Sequence, residues 1–190
     1  MRNLKKLILS TVILMMITGG TLLYAAAGKS DIAVYVNNVL QKHSGLLSEG
    51  DAYLSIEQLP ENLHAVLSWD ESAKEVRIYK PNVNMVLLDD QGKIFGKVRS
   101  AASSTFSVLV QVDHLKTDIS DLKITITNPL GKMDTVDNQQ IKEKKDSFWF
   151  KSAEYTYTFT EKGNYSIQVY IKDSTSKSWF IVSEMQISTI

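Results

Sequence analysis

The sequence predicts two folds in series: a small α+β strand-helix-hairpin domain, then an all-β sandwich. Three observations lead there. Between Ile32 and Tyr79 the apolar pattern shifts from a period of two to a helical one and back. From Asn84 onward, alternating runs are broken by turn residues, giving roughly seven strands in about 105 residues. The chain contains no cysteine, so both folds must be held by packing rather than disulfides.

Residues 1–27 read as a signal peptide and stand outside the fold argument. Arg2, Lys5 and Lys6 form a basic start, Leu7–Ile17 an apolar run, and Ala25-Ala26-Ala27 a cleavage site of small residues. The competing reading is an uncleaved anchor, because the stretch from Leu7 to Ala27 is nearly long enough to span a bilayer. Gly19 and Gly20 interrupt it and favour cleavage. Loss of residues 1–27 removes three of the 21 basic residues and none of the 21 acidic ones, leaving 18 − 21 = −3. A slightly acidic chain without a basic cluster argues against nucleic acid as a partner. The expected location is secreted or extracellular, including association with the cell surface, with membrane contact only through an uncleaved signal segment.

The first domain is expected over residues 28–80. Ala33–Val39 alternates as a half-buried strand, and Asn37-Asn38 suits a tight turn because Asn tolerates left-handed backbone. Ala52–Leu54 reads as a short strand. Ser55-Ile56-Glu57-Gln58 fits a capping box opening a helix, with Ile56, Leu59 and Leu63 on one face. Pro60 removes a backbone donor and shortens it; His64 stands where a left-handed C-terminal residue belongs. Leu67 and Trp69 share one face of a strand, Val76 and Ile78 one face of its partner, and Asp70–Lys74 turns between them. On this reading Trp69 is the core aromatic of the small domain.

The strings VYVNN, AYLSIEQL and LSWDESAKEVRIY resemble the copper amine oxidase N-terminal-like domain, or stalk domain, of the Gram-positive type. Tyr53, Leu54 and Ile56, then Ser68, Trp69 and Asp70, then Val76 and Ile78 carry the match, which covers about fifty residues. Ser55 replaces the usual proline, and His64 stands where glycine is common. The resemblance implies a stalk module remote from any catalytic domain, and it imports no copper site. An amine oxidase needs a tyrosine-derived quinone and three histidine ligands; His43, His64 and His114 lack the close-paired spacing. No cofactor is expected.

Lys80-Pro81-Asn82 marks the expected junction, since proline biases its predecessor toward extended backbone. Residues 82–190 then read as an immunoglobulin-like sandwich. Phe106, Val108, Val110 and Val112 alternate with polar or outward positions, as do Leu122, Ile124 and Ile126. Phe148–Lys151, Tyr155–Phe159, Tyr165–Lys172 and Trp179–Ile187 complete the strands. Glu161 to Ile167 resembles a tyrosine corner, with Tyr165 bonding backbone upstream. The whole resembles bacterial Ig-like modules of exported proteins, without the cysteines or third-strand tryptophan of antibody domains.

Aromatics are the best binding candidates: Trp149, Tyr155, Tyr157 and Trp179. On a strand only alternate residues face the core, so either Trp149 or the pair Phe148 and Phe150 points outward. Asp118–Asp121 and Asp134–Asp137 lack the spacing of a calcium loop. No Gly-x-Ser-x-Gly, phosphate-binding glycine loop or His-Glu-x-x-His occurs, and Asp113-His114 would point to opposite strand faces. No catalytic, cofactor-binding or metal residue is assigned. The sequence therefore reads as a secreted, non-catalytic interaction or scaffold protein of the cell envelope. A stalk module would present an Ig-like module to a cell-wall polymer or a surface or extracellular protein. The competing class is a secreted hydrolase, or an accessory subunit of one, with an unrecognised acidic site.

Overall fold

The computed structural model describes residues 29–36, 38–143 and 145–190. The export segment read over 1–27 and the Asn37 half of the first turn lie outside them. The chain falls into two compact units, Met1–Ile56 and Glu57–Ile190.

In the first unit, β1 (Lys29–Ile32) pairs with β4 (Gly45–Ser48), which pairs with β5 (Asp51–Tyr53), all antiparallel. Glu49 and Gly50 both have positive φ, 54° and 90°, the geometry of a two-residue hairpin turn whose twist matches its strands. A separate hairpin joins β2 (Tyr35–Val36) to β3 (Val39–Leu40) through Asn38, which is left-handed at φ 64°. Gly45 is required: a Cβ there would lie 2.9 Å from Leu54 Cδ2 and 3.0 Å from the Tyr53 carbonyl oxygen.

A 3-10 turn, Ile56–Gln58, spans the boundary, and the second unit continues with α1 (Leu59–Leu63) and a hairpin of β6 (Val66–Asp70) and β7 (Glu75–Tyr79). The helix ends as its sequence requires. His64 adopts φ 52°, and the Ala65 amide bonds the Pro60 carbonyl at 2.9 Å, the six-to-one bond of a Schellman closure. The hairpin turn is fixed by the Asp70 carboxylate, which accepts from the Ser72 and Ala73 amides at 3.0 Å each and from the Ser72 hydroxyl at 2.7 Å.

Among the described residues no strand-helix-hairpin domain forms, which corrects the α+β expectation. The helix has five residues, too short to present a face that covers a sheet. Among the described residues the hairpin pairs only with itself, and its base is buried in the core that follows: Ala65 is 1 % exposed and Val66 2 %. Exposure then rises toward the tip, where Trp69 is 59 % exposed rather than a core aromatic. Burial along β6 follows distance from the sandwich, not strand alternation. Lys80-Pro81-Asn82 lies within this unit; Pro81 is buried and Asn82 opens the next strand.

That core belongs to a β-sandwich. One sheet centres on β10 (Ala102–Asp113), paired along one side with β8 (Asn82–Asp89). Along its other side β13 (Phe148–Lys151) and β14 (Tyr155–Phe159) follow in line. Ser152, 5 % exposed, bridges the break: its hydroxyl accepts from the Val108 amide and its amide donates to the Val108 carbonyl, each at 2.9 Å. No backbone group of Val108 is orphaned at the break. The other sheet runs β12 (Met133–Gln140), β11 (Ile119–Thr127), β15 (Asn164–Asp173), β16 (Trp179–Thr189) and β9 (Lys97–Val98). All its pairings are antiparallel except β16 with β9.

Alternation places the core. Phe106, Val108, Val110 and Val112 face Leu122, Ile124, Ile126, Ile167, Val169 and Ile171, all fully buried. Each such side chain contributes about 1.5–3 kcal/mol by leaving water, the main term opposing chain entropy in a fold without disulfides. Asp134 and Asp137 lie in a paired strand rather than a loop, because β12 completes the ladder of β11 despite its polar composition.

Candidate functional site

The residues outward from Leu122 and Ile171 compose the candidate site. On β11 and β15 the core positions alternate with Asp121, Lys123, Tyr170 and Lys172, which therefore share the outer face of the five-stranded sheet. Register brings Lys123 opposite Tyr170, and Lys172 opposite both Asp121 and Trp179. The Lys123 ammonium stands 4.7 Å from the Tyr170 ring centre and 4.5 Å from that of Trp179. Lys172 is 5.6 Å from the Trp179 ring and 3.8 Å from an Asp121 carboxylate oxygen. Both lysines are thus engaged by aromatic rings, an attraction that fixes Tyr170 and Trp179 in place.

Beside this face α1 packs against β16. His64 Nε2 and a Glu184 carboxylate oxygen lie 3.9 Å apart. A cleft of about 430 Å3 opens between the helix, β6 and the sheet. Its walls are Pro60, Leu67, Tyr170, Trp179, Phe180 and Ile181, and its two acidic groups are Glu57 and Glu61. Neither glutamate has an ion-pair partner among the described residues. The Tyr170 hydroxyl donates to Gln168 Oε1 at 2.8 Å. Burial pushes its phenol above the ordinary tyrosine value, and the Glu61 and Glu184 carboxylates add to that rise.

The four aromatics singled out in the sequence do not form one surface. Trp179 lines the cleft. Trp149, 65 % exposed, points outward from β13, while Phe150 beneath it is 8 % exposed. Trp149 borders a separate depression of about 380 Å3 with Gln140, Ile141 and Lys142. Tyr155 and Tyr157 are half-buried against the core, their rings stacked at 6.3 Å. Edge-on packing joins Tyr157 to Phe159 at 5.1 Å and to Tyr165 at 5.8 Å.

Sequence reasoning misses Glu57, Glu61 and Leu67 as site residues, because it places helix and hairpin in a separate domain. Their signal was present: Glu57 and Glu61 are four apart, the spacing that puts two side chains on one helical face. The acidic pairs of the sequence serve structure instead. Asp134 pairs with Lys132 at 3.5 Å, and Asp137 accepts from the Ala153 amide at 3.0 Å. Among the described residues no three His, Asp or Glu side chains converge in a metal-binding arrangement, and no helix is long and apolar enough to cross a membrane. No protein-family model matches the chain, and no curated protein matches it.

Proposed function

We propose that the protein is exported and acts, without catalysis, as an interaction or scaffold protein of the cell envelope, binding through its β-sandwich. The observation that carries this reading is the cleft beside β16. There, aromatic and aliphatic walls from the strands meet two carboxylates of the adjoining turn and helix that have no ion-pair partner among the described residues, a composition suited to recognition. Export rests on the basic, apolar and small-residue order of residues 1–27. The strand pairing supports an immunoglobulin-like form of sandwich, as does the Tyr165 hydroxyl bonded to the Glu161 backbone. Such folds host binding on faces and loops, so the site rather than the fold must name the ligand.

The test is retention of the exported chain on immobilised peptidoglycan, wall polymers and surface-protein extracts. The expected result is retention on at least one, reduced by Trp179→Ala. Absence of retention on all three overturns the reading.

A further inference from the structure

We propose that the cleft between α1 and β16 receives a lysine or arginine side chain presented by a peptide segment of a partner protein. This rests on the interaction role above and names its chemistry.

Charge complementarity selects a cation. Glu57 and Glu61 are the charged groups of the cleft, and among the described residues no basic side chain lines it. The nearby lysines are already committed: Lys123 to the rings of Tyr170 and Trp179, Lys172 to Trp179 and Asp121. An anionic ligand would meet two carboxylates with no compensating cation. A cationic head gains a charge-assisted hydrogen bond to Glu57 or Glu61.

The walls select a long aliphatic stem. Pro60, Leu67, Phe180 and Ile181 offer carbon surface that matches the methylene chain of lysine or arginine, which buries its stem while its head stays polar. An amino sugar fits poorly, because its hydroxyls would need partners that these walls do not supply. Besides the glutamates, the side-chain polar atoms of the lining are the Tyr170 oxygen and the Trp179 indole N–H, and the Tyr170 proton is given to Gln168. A buried hydroxyl without a partner costs more than the ring would gain. The volume of about 430 Å3 accommodates one such side chain with its flanking backbone.

The test is NMR titration of the indole N–H signals with the peptides Gly-Gly-Lys-Gly-Gly and Gly-Gly-Arg-Gly-Gly. Trp69 and Trp149, exposed outside the cleft, serve as internal controls. The expected result is a saturable shift of Trp179 alone, weakened by salt. A norleucine peptide should bind about two- to fivefold more weakly, since Glu57 and Glu61 are exposed and an exposed ion pair contributes about 0.2–1 kcal/mol. The Glu57→Gln, Glu61→Gln double variant should show a similar loss with an unchanged melting temperature. Should that variant melt early, Leu67→Lys, which places a cation in the cleft, is expected to abolish the shift.

Equal shifts from the norleucine peptide, a stronger response to glucosamine, or no Trp179 shift at about 10 mM peptide overturns the proposal; millimolar affinity is the weak limit for specific binding. Envelope retention that is indifferent to the glutamate variants leaves the interaction role standing and removes this ligand. Peptide binding without envelope retention does the reverse.

Discussion

The Tyr165 hydroxyl accepts the Glu161 amide at 2.8 Å and donates to the Glu161 carbonyl at 3.1 Å, closing a ring with the backbone it has just left. Tyr165 itself is fully buried, with its ring against Phe159 at 5.0 Å. The bond therefore satisfies a phenol inside the core and fixes the entry of β15. Tyr165→Phe keeps the ring and strips the hydroxyl, leaving the Glu161 groups to find other partners. A loss of about 1–2 kcal/mol is expected, read as a lower urea midpoint with an unchanged slope.

Asp173 makes stability depend on acid. Its carboxylate accepts from the Thr117 hydroxyl at 2.7 Å and from the Thr175 and Ser176 amides at 3.0 and 2.6 Å, tying the β15–β16 turn to the β10–β11 loop. Burial penalises the charge, but the Thr117 hydroxyl and the turn amides outweigh it and hold the pKa below the ordinary value. A depressed folded value stabilises the fold fully above the unfolded pKa of about 3.9, and that contribution is lost as pH falls through the folded value. Asp173→Asn should thus cost about 1–3 kcal/mol at pH 7. Urea melts should show the difference narrowing below about pH 4.

Trp149 and Phe150 are neighbours with opposite fates. Phe150→Ala opens a cavity under β13 and should cost about 3–5 kcal/mol. Trp149→Ser removes a mainly solvated ring and should change stability by less than about 0.5 kcal/mol. Thermal melts of the two variants check the contrast, and comparable losses would mean that Trp149 is covered.

Ala101 enters β10 with φ 57° while its amide bonds the Phe159 carbonyl at 2.8 Å. A side chain with a Cβ pays about 1–2 kcal/mol in this region, and glycine does not. Ala101→Gly should therefore stabilise the chain by several tenths to about 1 kcal/mol, after the entropy that glycine adds to the unfolded state. A rise in melting temperature confirms it; a fall shows that the Ala101 methyl contributes packing worth more than the strain.

Much of the sandwich was readable because its strands alternate cleanly. Residues 165–173 switch between buried and half-buried at every step, and Glu161–Tyr165 announced the corner. The acidic turn after Trp69 and the left-handed His64 were also local, set by side chains within a few positions. What could not be read was membership. Whether β6 and β7 join the segment before or after them depends on where Ala65 and Val66 find a core, a long-range matter that no local pattern records. Trp69 was misplaced for the same reason. The two residues of β9 are too short for any periodicity, and β12 is polar enough to pass for a loop. In the candidate site Tyr170 follows from alternation along β15, whereas Phe180 and Ile181, consecutive with Trp179, do not, because alternation sends neighbours to opposite faces. Glu57, Pro60, Glu61 and Leu67 lie on the turn, helix and hairpin that the sequence places in another domain.

The β9–β16 pair is the one parallel contact of its sheet. The Ile190 amide bonds the Val98 carbonyl at 2.9 Å, the Ser100 amide bonds the Ile190 carbonyl at 3.1 Å, and the Ser188 amide bonds the Gly96 carbonyl at 3.3 Å. Tension drawing Ile190 one way and Gly96 the other slides these strands lengthwise. All three bonds then share the force, whereas an antiparallel hairpin pulled from its open end surrenders its bonds in turn. The parallel pair therefore resists lengthwise shear more firmly than its two-residue length suggests.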